Sequence, residues 1–551
     1  MHTRSLLLVL SFTAVAAPLA SQTTAAPAPQ ILLETVGPDG WRVRLGPTNL
    51  GSLLESEKGR ALWQPGVLPL LGMWQQMVGE KAAFVASRDR LLGYGGRIRL
   101  GVWIDPESRH NEPLQVALVC EADGRADLTA VAADLRLLQT RLLPGEWGET
   151  EVAGAKMAVY TNGGDAMTAP HVEQDRVWIA LASRERLPAA VLAARALAAA
   201  SPGKPPAPNS PALRIDVDLA AIVGQRLTGE DKEESTFMKA LGLESLGLLQ
   251  FTVDTAGPQV RFELAQTFRS DDRGVFAAFL PATPKVSVLR HAVPKGPGSW
   301  KVGHFDFRAL YTAITNAIVA SGDRTEAELR AEIQKEMGVD LADDVLAHMT
   351  DEVLLLTSSL AGLDSPDETT WAFAVRLRDE AKFEKGLFEA LPHARPFVQR
   401  EATEKVGDVE VHRYGGLAGY DIHLAVGHGV FALAGGRDAE DRIAALLAAA
   451  KTMPKDAAAP ALDPDVFANL ERFLPAGTNG LALGDIDSIL AMPTEWWLEG
   501  LGELLPMLRT AGTDSEDQRQ AVRELLRQHN LNTLRSATGF AERTWRLRLF
   551  W

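Results

Sequence analysis

Near its C-terminus the chain reads NGLALGDIDSILAMP, with two carboxylates two residues apart at Asp485 and Asp487. In a strand that spacing turns both side chains to one face, where their oxygens suit a hard divalent cation. The same residues also stand where an apolar strand gives way to an apolar helical run. An aspartate there accepts bonds from the first free N–H groups of the helix and favours the positive end of its dipole. An earlier stretch, RIDVDLAAIVG, has the same arrangement with Asp216 and Asp218. That repetition favours helix starts at Asp218 and Asp487 over a cation site at Asp485 and Asp487.

The histidines offer a second chemistry. His412, His423 and His428 lie in VEVHRYGGLAGYDIHLAVGHG, which reads as a hairpin. Opposed strands could bring His412 and His423 together, and imidazole is a good ligand for zinc or copper. The first half of the chain offers only His171 nearby, and no carboxylate stands at ligand spacing, so scattered surface histidines are the plainer reading. Cys120 is the single cysteine and sits in LQVALVCEA. Its apolar neighbours point to a buried strand thiol, and an internal disulfide is impossible. There is no H-E-x-x-H, no G-x-S-x-G and no Walker-type loop. Ser201 to Lys204, SPGK, matches S-x-x-K in form, but Pro205 and Pro206 oppose the helical turn that would bring the lysine onto the serine. No catalytic residue and no cofactor is expected; Asp485, Asp487, His412 and His423 remain as metal candidates.

Two stretches concentrate tryptophan, leucine and methionine: ALWQPGVLPLLGMWQQMVG, with Trp63 and Trp74, and MPTEWWLEGLGELLPML, with Trp496 and Trp497. A core-facing helix is one reading. An exposed patch for an envelope protein or a lipid-like ligand is the other, because neighbours such as Trp496 and Trp497 cannot both face one buried stripe.

The elements that must position these residues belong to a long chain. Its 551 residues exceed one core and suggest two to four domains. Hydrophobic residues make up 46% and charged residues 23%, the balance of a globular protein. A net charge of −15 argues against a nucleic-acid partner, which needs a basic surface. The N-terminus, MHTRSLLLVLSFTAVAAPLASQ, has Arg4, an apolar run from Leu6 to Ala17 and then small residues. That is the plan of a secretory signal, with cleavage expected between Ala16 and Ala26, so residues 1–26 read as signal peptide and leader. A retained signal anchor is the alternative. The expected location is the periplasm, the cell surface or the medium, with no membrane-spanning run after the signal.

Pro- and Gly-rich breaks fall at Ala200 to Pro211, Pro294 to Ser299 and Met453 to Pro464. The segments between them repeat. VWIALASRERLPAAVLAARALAAA, from Val177, resembles VFALAGGRDAEDRIAALLAAA, from Val430. QVALVCEADGRADLTAVAADLRLL matches WAFAVRLRDEAKFEKGLFEAL, and LLGYGGRIRLGVWI falls opposite VLAHMTDEVLLLTS. WRVRLGPTNLGSLL, from Trp41, parallels WKVGHFDFRALYTAI, from Trp300, and QVRFELAQTF mirrors TWRLRLFW. The order is the same in both halves, which suggests two tandem copies, 28–282 and 283–551, with sub-breaks at 200–211 and 453–464. Strands such as VRFEL and WRLRL alternate apolar and charged residues, the mark of antiparallel sheets with one wet face. The expected fold class is α+β: two copies of a mainly antiparallel sheet with helices packed on one face. An outer-membrane barrel ending on RTWRLRLFW is the lesser alternative, since much of the chain reads as Ala/Leu helices.

The run GVDLADDVLAHMTDEVLLL, followed by AFAVRLRDEAKFEKGLFEAL, VGDVEVHRYGG, VFALAGGRDAEDRIAALL and DVFANLERFLPAGTNGLALGDIDSIL, resembles a family of large exported bacterial proteins known only as a domain of unknown function. The resemblance covers most of the second half and, more weakly, the first. Where that family has a Gly-rich turn before a strand, this chain has Thr350-Asp351, while its first half keeps Gly95-Gly96. The resemblance implies an extracytoplasmic location and no established activity, and supplies no catalytic residues. The functional expectation is a binding or scaffold protein; a metal-dependent envelope hydrolase and a structural envelope protein are the alternatives.

Overall fold

The computed structural model describes residues 28–60, 75, 81–104, 115–122, 127–142, 145–200, 210–226, 232–280, 286–293, 299–322, 324–357, 370–394, 399–417, 420–436, 438–454, 473–485, 524–531 and 533–551. They form an α+β protein whose strand pairs, among the described residues, are antiparallel, and the chain divides into two compact units. Unit 1 takes Met1–Gly229, Gly247–Leu264 and Leu501–His529, and unit 2 takes Glu230–Leu246, Ala265–Gly500 and Asn530–Trp551. No helix among the described residues is long and apolar enough to cross a membrane.

Unit 1 opens with β1 (Ile31–Val36), α1 (Pro38–Leu45), α2 (Asn49–Glu55) and α3 (Lys81–Leu92), then β2 (Arg97–Trp103) and β3 (Gln115–Glu121). It continues with α4 (Leu128–Leu142), β4 (Glu146–Val152), β5 (Ala155–Asn162), β6 (Asp165–Thr168), β7 (His171–Glu173), β8 (Arg176–Ser183) and α5 (Leu187–Ala199). After these come β9 (Leu213–Asp218), α6 (Leu219–Arg226), β10 (Leu246–Ala256) and β11 (Gln259–Phe268), the last passing into unit 2 from Ala265. The sheet runs β10–β9–β1–β2–β3–β8–β6–β5–β4, with the short β7 also on β8.

Its centre explains the run VWIALA. Trp178 and Ala180 of β8 face one way with Ala117 and Val119 of β3, onto Val191, Ala194 and Leu197 of α5. Val177 and Cys120 face the other way, onto Leu128 and Ala132 of α4. Strands buried on both sides need no polar alternation. The alanines of α5 let the helix lie close over the sheet, and Pro188 fits its first turn because no N–H is needed there.

Unit 2 contains α7 (Lys232–Ala240), β12 (Ser299–His304), α8 (Phe307–Ala320), α9 (Glu326–Met337), β13 (Met349–Thr357), β14 (Trp371–Leu377) and α10 (Glu380–Ala390). Then follow β15 (Gln399–Val406), β16 (Val409–Leu417), β17 (Tyr420–Gly427), β18 (Val430–Gly435) and α11 (Ala439–Lys451). β19 (Thr478–Asp485), β20 (Thr533–Ala541) and β21 (Thr544–Phe550) complete it. The order is β21–β20–β19–β12–β13–β14–β18–β17–β16–β15. Ile443, Leu446 and Leu447 of α11 pack on Ala372, Ala374 and Ala432, as α5 packs in unit 1.

The path β9–β1–β2–β3–β8 in unit 1 thus has the same sense and order as β19–β12–β13–β14–β18 in unit 2. One sequence parallel needs correction. Trp41, set against the strand residue Trp300, lies in α1; the strand at that place in unit 1 is β1, ten residues earlier at Ile31. Pro38 in the first turn and Asp39 near the helix start favour the helix, and Trp41 Nε1 closes back onto Thr35 Oγ1 at 2.9 Å.

Candidate functional site

Among the described residues the sequence candidates do not converge on one site. His412 on β16 stands opposite Leu424, while His423 on β17 stands opposite Arg413. A one-residue offset turns the two imidazoles to opposite faces of the sheet, so the hairpin does not bring them to a common ion. His412 is buried, its ring edge-on to Phe388 at 4.7 Å. Its Nδ1 accepts from Arg400 at 2.5 Å, so the ring is neutral with its proton on Nε2. Burial, then the Arg400 charge, hold its pKa below the usual histidine value. His423 is shifted the same way by burial and Arg413.

Asp485 ends β19, opposite Thr533. Asp487, Trp63, Trp74, Trp496 and Trp497 lie outside the described residues. The earlier pair is explained by structure. Asp218 Oδ1 accepts from Ala221 N at 3.0 Å and caps α6, while Asp216 binds Arg214 at 2.7 Å and accepts from Gln250 at 2.9 Å. Among the described residues no group of three His, Cys, Asp or Glu side chains is placed to hold a metal ion. Cys120 is buried, and burial followed by the neighbouring Glu121 charge pushes its thiol up to about 12.

Other buried polar groups serve as structural ties. Glu352 on β13 is 2% exposed. It accepts from Val288 N at 2.8 Å, Ser287 Oγ at 3.0 Å and Arg376 Nη1 at 2.9 Å, fastening the turn at Ser287 to the sheet. Burial opposes its ionisation, but these donors together outweigh burial and hold its pKa below the ordinary glutamate range. His304 Nδ1 meets Asp351 Oδ2 at 2.9 Å beside it.

Among the described residues, groups converge around a cleft in unit 1, at the β4–β5 hairpin. Ala153 and Gly154 both have positive φ, 49° and 76°, giving the tight two-residue turn that fixes the hairpin register. That register sends alternate residues of β4 to opposite faces. On the outer face Trp147 lies against Tyr160 at 5.1 Å, beneath Arg136 at 4.6 Å, and donates from Nε1 to Thr140 Oγ1 at 2.9 Å. These contacts clamp the hairpin to α4. The inner face carries Gly148, Thr150 and Val152 opposite Val159, Met157 and Ala155. Val152, Met157, Val159, Ala166 and Leu187 all belong to the unit 1 core.

Between this inner face and the first turn of α5 lies a cleft of about 370 Å³. Val152, Val159, Ala166 and Leu187 supply its apolar lining, Thr150 and Thr161 are polar, and Arg184 stands toward the helix. Glu149 and Glu151 border it on β4. Its depth comes partly from Gly148, where an added Cβ would meet nothing within 4 Å. Among the described residues β4 pairs only with β5, so alternate N–H and C=O groups along its other edge carry no strand partner. The sequence signal was slight: a glycine inside an alternating strand, EWGETEV.

No protein-family model matches the chain, and no curated protein matches it. Among solved structures, crystal form IV of TP0453 is similar at 8% identity and a TM-score of 0.22, covering 44% of this chain and 78% of that one. Crystal form III of TP0453 gives 8% identity and a TM-score of 0.20, covering 45% and 81%. Likenesses this faint carry no argument about role.

Proposed function

We propose that this chain is a binding protein that works outside the cytoplasm and holds a partner in the unit 1 cleft. The observation that carries the reading is the cleft itself: an apolar floor continuous with the core, open at Gly148, beside a strand edge with no pairing partner among the described residues. A concavity with an apolar floor and polar groups placed around it is a usual form of ligand site. The buried polar clusters of unit 2 are engaged in holding turns and strands, which supports a binding role over one for those clusters in chemistry. The N-terminal sequence supports export through its signal-like plan, and the repeated strand order supports a tandem origin for the two units.

The test is titration with the neutral dye Nile red, followed by fluorescence. The reading expects saturable binding that Gly148→Leu abolishes while the unfolding temperature stays unchanged. Binding unaffected by Gly148→Leu would place the apolar site elsewhere and sink the reading.

A further inference from the structure

We infer that the cleft receives an extended peptide that adds a strand to β4, alternating apolar side chains inward with cationic side chains outward. This rests on the reading of the cleft as a binding site and specifies its occupant. Three observations fix the chemistry. First, β4 presents its backbone edge, and a main-chain ladder satisfies such an edge better than a compact ligand can. Second, alternation assigns the two faces of an added strand different surroundings. Inward residues would stand beside Gly148, Thr150 and Val152 of β4, and the missing side chain at Gly148 leaves them open toward the cleft and the first turn of α5. That lining accepts a small or β-branched apolar side chain.

Third, the outward side of β4 is acidic. Glu149 and Glu151 share the outer face with Trp147, Lys156 of β5 stands opposite Glu151, and Glu146 falls on the other face. Glu149 already pairs with Lys156 at 2.6 Å, but both groups are 65% or more exposed. An exposed pair of this kind is weak and can exchange partners with an incoming lysine. Cross-strand pairing of opposite charges then sets the register of the added strand. An acidic strand would meet repulsion along the same edge, so charge selects the partner as well as aligning it.

The experiment uses the full chain and the peptides Ac-KVKVKVK-NH2 and Ac-EVEVEVE-NH2, with binding read by calorimetry at low and high salt. The lysine peptide is expected to bind at a 1:1 ratio and the glutamate peptide not to bind. Glu149→Gln combined with Glu151→Gln should weaken the lysine peptide by about tenfold, the size of two cross-strand charge pairs, and flatten its salt dependence. Gly148→Leu should remove binding without loss of thermal stability. Absence of binding by the lysine peptide, or equal binding of both peptides, overturns strand addition. If Nile red still binds under those conditions and loses its site in Gly148→Leu, the cleft reading survives and only the peptide occupant falls. Sedimentation that shows the wild type self-associating, and the double glutamine variant not doing so, would assign the edge to a second copy and overturn the proposal.

Discussion

Glu352→Ala removes the most heavily engaged buried carboxylate described in unit 2, and its cost can be worked out. Glu352 is 2% exposed and accepts bonds at 2.8, 2.9 and 3.0 Å. Alanine strips the acceptor from Val288 N–H, from the fully buried Ser287 hydroxyl and from the Arg376 guanidinium, which is 26% exposed. Breaking one side of a buried ion pair costs roughly 3–5 kcal/mol because the remaining charge stays desolvated. The orphaned neutral donors belong to the same network, so their loss does not simply add. A total of about 4 kcal/mol is expected. In a body of roughly 150–250 residues each kcal/mol moves the midpoint by about 2–4 °C, so unit 2 should melt on the order of 10 °C lower. Differential scanning calorimetry, alongside circular dichroism at room temperature, measures this. Glu352→Gln keeps the shape and one acceptor and should lose less. The folded pKa of Glu352 lies below the ordinary value near 4.5, so its stabilisation is present above that pH and lost as pH falls through the folded value. The glutamine variant should lose that acid-dependent component. A loss below about 1 kcal/mol for Glu352→Ala would refute the view that this carboxylate holds the Ser287 turn.

Three further outcomes follow from local geometry. Asp218→Ala should cost about 1 kcal/mol, the usual value of a helix cap, and an Asp218→Asn variant should recover most of it in urea denaturation. His412, held neutral by burial and Arg400, favours the folded state fully above about pH 6.5 and withdraws that support as pH falls toward its lowered folded value; His412→Asn should flatten the stability curve in that window. Cys120, pushed up to about 12, should resist iodoacetamide at pH 8 in the native protein and react at the normal rate in urea; rapid native alkylation would contradict its burial.

Much of the architecture can be read from apolar patterning because burial dictates it directly. VWIALAS and VFALAG announce β8 and β18, and the Ala/Leu runs behind them announce α5 and α11. Asp218 is legible as a cap because an aspartate after a strand and before an apolar run has one obvious local partner. Trp41 is less legible: its alternating neighbours, WRVRL, suit a strand, and only Pro38 and the bond to Thr35 decide for α1. The His412 and His423 relation depends on a register offset of one residue, which composition does not encode. The cleft is the least legible feature. It depends on Gly148 having no side chain on the face of β4 that turns toward α5, and on the clamp at Trp147 that holds the hairpin against α4.

Hydrogen–deuterium exchange of the full chain, with and without Ac-KVKVKVK-NH2, tests the central claim most directly. The account predicts new protection concentrated in the amides of Glu146–Val152, because an added strand engages that edge, with no such change in Gly148→Leu. Protection that leaves β4 untouched and appears elsewhere would contradict it.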